Sequence, residues 1–126
     1  MPKIYLSPST QDWNMYVTGS GSEEYNMNLL ADALVPYLLS NGIQYQRNRP
    51  EMTAGSSIRE ANQGEYDLYL ALHSNAAPEG RYGEERGIIA FYYPGSVGGQ
   101  RAAELIAQEL RKIYPLPNKV TTRPTT

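Results

Sequence analysis

The sequence has no cysteine. That excludes disulfides, thiolate nucleophiles and thiolate zinc sites, and it leaves the redox compartment open, because cysteine-free chains occur in both. No apolar run approaches the ~20 residues of a membrane-spanning helix. Met1-Pro2-Lys3 leads straight into a short apolar run, without the h-region of a signal peptide. Positive charge is not in excess either: 11 Lys and Arg against 13 Asp and Glu give a formal net charge of −2, and the cations are scattered. With no basic stripe to follow a phosphate backbone, nucleic acid is not the expected partner. Phenylalanine and tryptophan occur once each against 11 tyrosines, which suggests half-buried rings whose hydroxyls reach water.

What is present suits one globular domain. The chain has 126 residues, 40% of them hydrophobic and 19% charged, enough for a core without disulfide or metal staples. No internal repeat or second domain is visible, and nothing in the pattern sets the oligomeric state.

The stretch Leu68-Tyr69-Leu70-Ala71-Leu72-His73-Ser74-Asn75 organises the chain, because a nearly unbroken apolar run ends in its single histidine. Such a run predicts a strand buried on both faces. Ligands of open α/β sheets gather at the carboxyl ends of the strands, so His73 stands where a site is expected. The alternative is a structural histidine bonded to local backbone groups.

Around this strand the pattern predicts alternating strands and helices. Lys3 to Leu6 reads as a first strand, closed by Ser7-Pro8-Ser9-Thr10, and Gln11 to Ser22 as a surface loop. A helix follows, capped by Ser20 or Ser22, with Glu23 and Glu24 in its first turn, Pro36 inside it and Asn41-Gly42 at its end. Ile43 to Asn48 is a second strand, Ile58 to Asn62 a short helix, and Asp67 to Leu72 the strand already named. After a charged loop from Ala76 to Arg86 come a strand from Gly87 to Tyr93 and a helix from Gln100 to Tyr114. Pro115 to Thr126 shows no periodicity and reads as a linker towards strands that lie outside the sequence. The expected class is α/β: a twisted, mostly parallel sheet with helices on both faces.

If the first and third strands are neighbours, the start of the first helix lies beside the end of the third, which brings Glu24 within reach of His73. An imidazole and a carboxylate suit zinc, whose catalytic sites take three protein ligands and leave a place for water. The other reading of Glu24 is a carboxylate that complements the helix dipole.

These residues carry a resemblance. Glu24 followed by Asn28-Leu29-Leu30-Ala31, Arg47 or Arg49 after the second strand, Arg59-Glu60-Ala61-Asn62, Leu72-His73-Ser74-Asn75-Ala76, and Gly87 leading to Tyr92-Tyr93 together resemble the catalytic domain of zinc-dependent N-acetylmuramoyl-L-alanine amidases of the type 3 family. The likeness implies a cell-wall hydrolase of bacterial or phage-lysin kind, extracellular, that cleaves the amide between N-acetylmuramic acid and L-alanine in peptidoglycan. It implies zinc held by Glu24 and His73. Two departures accompany it. Thr10 stands at or near the family's first histidine, and the family's general-base glutamate falls on a later strand, past Thr126. Asp12, Glu23 or Thr10 would then be the substitute ligands or polar site residues, and Trp13, Asn75 and Arg81 would line a substrate groove. A degenerate relative that binds muropeptides without cutting them is the alternative. A flavodoxin-like or interaction domain with a phosphate in the Ser7 to Thr10 loop is disfavoured, because that loop has no glycine to let the backbone approach the phosphate.

Overall fold

Lys3–Pro8 forms β1, the middle strand of a three-stranded sheet in order β2-β1-β3. The computed structural model describes residues 2–10, 21–49, 51–74 and 87–125, and these fall into two compact units, 1–75 and 76–126. In the first, β2 (Gln44–Arg47) and β3 (Leu68–Leu72) both run parallel to β1, with Tyr5 paired to Gln46 on one side and Tyr69 on the other. Parallel neighbours require crossovers, which helices α1 (Glu23–Ser40) and α2 (Ala54–Gln63) supply.

The core of this unit lies on β1. Ile4, Tyr5 and Leu6 are buried, the last two completely. The Tyr5 ring stacks on Tyr69 at 5.6 Å and meets the edge of Tyr66 at 5.3 Å, and its hydroxyl donates to Glu60 Oε1 at 3.0 Å. The strand expected to be buried on both faces, Leu68–Leu72, is instead half-buried with Ala71 exposed. Among the described residues β3 pairs with β1 alone, so the middle place and the deeper burial go to β1. A six-residue strand that ends in Ser7-Pro8 hides this in the sequence.

Local signals explain the helices. Ser22 Oγ accepts the Tyr25 N–H at 3.1 Å and so caps α1. At its far end Gly42 takes φ +72°, the left-handed conformation a helix stop favours, while the Ile43 N–H donates to Leu38 O at 2.9 Å. Pro36 is accommodated inside the helix, leaving the carbonyl four residues earlier without its usual donor. α1 packs on β1 and β2, with Ala31 fully buried. α2 starts four residues earlier than the periodicity suggests, because Thr53 and Ser56 form a reciprocal capping box with bonds of 3.1 and 2.9 Å.

In the second unit β4 (Ile88–Tyr92) pairs in parallel with β5 (Val120–Pro124), and α3 (Val97–Arg111) packs on both. This corrects the reading of 115–126 as a linker: a 3-10 turn at Pro117–Lys119 leads into a strand. Val120 is buried at its start, β-branched threonines follow, and Pro124 occupies only the last position, where its missing N–H costs little. The Thr125 N–H closes the ladder onto Tyr92 O at 2.8 Å. Buried Ala103 and Ala107 let α3 approach the strands, and Arg111 Nε reaches back to Val120 O at 3.0 Å. α3 also begins before Gln100, since Ser96 Oγ caps Gly99 N at 3.1 Å and outweighs the two glycines of the first turn.

The α/β class and the parallel strand pairing stand as expected. Among the described residues no helix is long and apolar enough to cross a membrane.

Candidate functional site

Because β1 and β3 are parallel neighbours, their carboxyl ends fall at the same edge of the sheet. The ladder continues one step past β1, with the Ser9 N–H donating to Leu72 O at 2.9 Å. Ser9 and Thr10 therefore emerge next to His73 and Ser74. The start of α1 meets them there.

The residue at the centre of this meeting is Glu23, which is 2% exposed. A carboxylate that deep needs donors to replace water. Ser9 donates its hydroxyl to Oε2. The Ser74 main-chain N–H donates to Oε1 at 2.9 Å, and the Ser74 hydroxyl donates to the same oxygen at 3.4 Å. His73 Nδ1 stands 3.7 Å from Oε2. That is beyond hydrogen-bonding range, so the pair attracts electrostatically only when the imidazole is protonated. The His73 side chain is 46% exposed against 3% for that of Glu23, so one partner faces solvent and the other is enclosed.

The expected glutamate is thus displaced by one position. Glu24, the residue assigned by resemblance, is half-buried, and its main-chain carbonyl accepts from Asn28 Nδ2 at 2.8 Å. Consecutive helical residues point about 100° apart, so only one of the two can face the strand ends. His73 is where the sequence placed it, Thr10 follows Ser9 and is half-buried, and Glu23 moves from a substitute to the principal carboxylate. Asp12, Trp13, Asn75 and Arg81 lie outside the described residues.

Sequence reasoning missed the polar groups that hold the strand exits. Asn48 Nδ2 contacts Ser7 Oγ at 3.1 Å, Pro8 O at 3.0 Å and Ser57 Oγ at 3.3 Å, and the Tyr69 hydroxyl donates to Ser7 Oγ at 3.0 Å. An asparagine directly after a short strand was the available signal. The two candidate arginines also separate. Arg47 binds Asp32 Oδ1 at 2.7 Å and Asn28 through both O and Oδ1, at 3.1 and 2.8 Å. Arg49 instead bridges Glu51 and Glu60, each at 3.0 Å.

The donor set decides what this edge can hold. Catalytic zinc requires three protein ligands. Among the described residues no three His, Cys, Asp or Glu side chains converge. Glu23 and His73 are two, and a third is absent among the described residues. The neighbouring hydroxyls of Ser9, Thr10 and Ser74 are poor zinc ligands while neutral. The described residues therefore do not fit a catalytic zinc.

No protein-family profile matches the chain. No curated protein matches its sequence. Among solved structures, the N-acetylmuramoyl-L-alanine amidase AmiC2 of Nostoc punctiforme is similar to it, with a TM-score of 0.77 and 13% sequence identity over 98% of this chain and 69% of that one. At that identity the likeness is one of fold, and the chain has the α/β fold of that amidase.

Proposed function

We propose that the protein is a cell-wall domain that recognises peptidoglycan fragments at the carboxyl edge of β1 and β3 without cutting them. The observation that carries this reading is that enclosed Glu23 and exposed His73 meet at this edge without a third His, Cys, Asp or Glu beside them among the described residues. The fold supports a muropeptide as the ligand, through its likeness to an enzyme whose name places it on that polymer. Half-exposed His73, with Thr10 beside it, forms the polar floor. Both compact units belong to one domain of residues 1–126, a reading supported by the span of the structural likeness, and the setting is extracellular, at the cell wall. Incubation with purified sacculi tests the proposal: the protein pellets with them and releases no free stem peptide.

A second reading has its own support. His73 presents an accessible imidazole beside an enclosed carboxylate at the sheet edge, the placement a hydrolase of the muramoyl–L-alanine amide would use. In that reading a zinc would be held by His73 and Glu23, with its third ligand supplied from outside the described residues. Stem-peptide release that depends on added zinc and disappears in His73→Ala would establish it in place of the first.

A further inference from the structure

The disagreement between the donor set and zinc leaves a buried carboxylate to be explained. From the first turn of α1, Glu23 bonds to two separate places in the chain: the exit of β1 through Ser9 and the exit of β3 through the Ser74 N–H. Fourteen residues separate it from Ser9 and fifty-one from Ser74. A divalent ion at such a junction would join the same elements by drawing negative and neutral donors around a positive centre. Here the polarity is reversed, with an anion at the centre and hydroxyl and amide donors around it.

We propose that Glu23 is a metal-independent lock that positions the His73-Ser74 turn against the exit of β1. Its carboxylate accepts from the Ser9 hydroxyl and the Ser74 N–H, in the first turn of α1, where the helix dipole suits an acidic side chain. A zinc ion at this place would find Glu23 and His73 among the described residues, one short of the three protein ligands that a catalytic zinc takes. The lock sets the direction of the His73 imidazole because the residue that follows it is fixed by its main chain. Glu23 is therefore a positioning residue, and this role does not require that the ligand be peptidoglycan.

Thermal melting of the whole chain with 1:1 added zinc or with excess EDTA, together with amide exchange at Ser74, tests the lock. The expected result is a wild-type Tm that neither addition moves. In Glu23→Gln the Ser74 amide exchanges at least tenfold faster, the His73 imidazole resonances shift, and the Tm falls by roughly 4–10 °C. Ser9→Ala keeps the charge and removes one donor, so it gives the same changes in smaller measure even if Glu23→Gln does not fold. Stoichiometric zinc binding that raises the Tm in wild type and is lost in Glu23→Gln would overturn the proposal. So would unchanged Ser74 exchange in both variants. Retention on sacculi is a separate readout, so failure of the ligand reading leaves this one standing, and the reverse.

Discussion

The Nδ2 atom of Asn48 lies 3.0 Å from the carbonyl oxygen of Pro8, so a side chain just past β2 holds the end of β1. The same amide group reaches Ser7 and Ser57, and Ser7 in turn accepts from Tyr69. Three elements thereby share one polar group directly beneath the site. Asn48→Ala removes its bonds, while the buried Ser57 hydroxyl keeps Thr53 O and Ser7 keeps Tyr69, so the cost is that of the lost bonds, ~1–2 kcal/mol. Urea denaturation reads this as a lower midpoint at unchanged slope; an unaltered midpoint would mean that the network contributes nothing net.

Tyr5 makes stability depend on alkaline pH. Its phenol is pushed up to about 12, first by burial and then by the hydrogen bond and negative charge of Glu60. Unfolded, the group titrates near 10. The stabilisation is therefore complete below about pH 10 and is lost as pH rises through about 12, because the unfolded chain releases the proton first. Over that window the wild type should lose ~2–3 kcal/mol more than Tyr5→Phe, which has no phenol to ionise. Parallel stability–pH curves for the two proteins would contradict this.

Arg47 joins β2 to α1 through a fork that a lysine lacks. One nitrogen takes Asp32 and the other takes both oxygens of Asn28. Arg47→Lys keeps the charge but surrenders the planar geometry, at ~1–2 kcal/mol. Arg49→Lys, at an exposed pair, should cost less than ~1 kcal/mol. Equal losses in the two variants would show that charge, not geometry, is what matters.

Gly87 enters β4 at φ +133°, and a Cβ there would collide with the carbonyl oxygen of Lys119 just before β5. Gly87→Ala adds backbone strain to that clash and should loosen the β4–β5 pair, at a cost of 2 kcal/mol or more by order of magnitude. Hydrogen exchange resolves it. Protection should fall across Val120–Pro124 and remain at Ile4–Leu6 in the other unit, whereas equal loss in both would contradict the separate accounting of the two pairs.

Much of the fold was legible because its signals are local. Ser22 before two glutamates marks the start of α1, Asn41-Gly42 marks its end, and alternation of strand and helix dictates parallel pairing. The adjacency of β1 and β3, which the sequence offered only as a condition for a site, is present. What escaped depends on tertiary context. Deep burial belongs to β1 because it lies between two strands, a fact no property of its six residues announces. β5 was hidden by prolines that fall just outside or at the very end of its ladder. At the site, His73 could be read from an apolar run that stops on an imidazole. The choice between Glu23 and Glu24 turns on helical phase, which depends on where the cap begins, and a pattern of adjacent acids carries no such information.

The central claim is that the strand-end site around Glu23 and His73 binds muropeptides without hydrolysing them. Calorimetry with a soluble muramoyl pentapeptide, with product analysis of the same cell contents, tests it most directly. The expected result is saturable binding that His73→Ala weakens by about tenfold, the loss of roughly 1.4 kcal/mol, with the amide intact afterwards. No heat of binding to wild type, or recovery of free stem peptide, would contradict it.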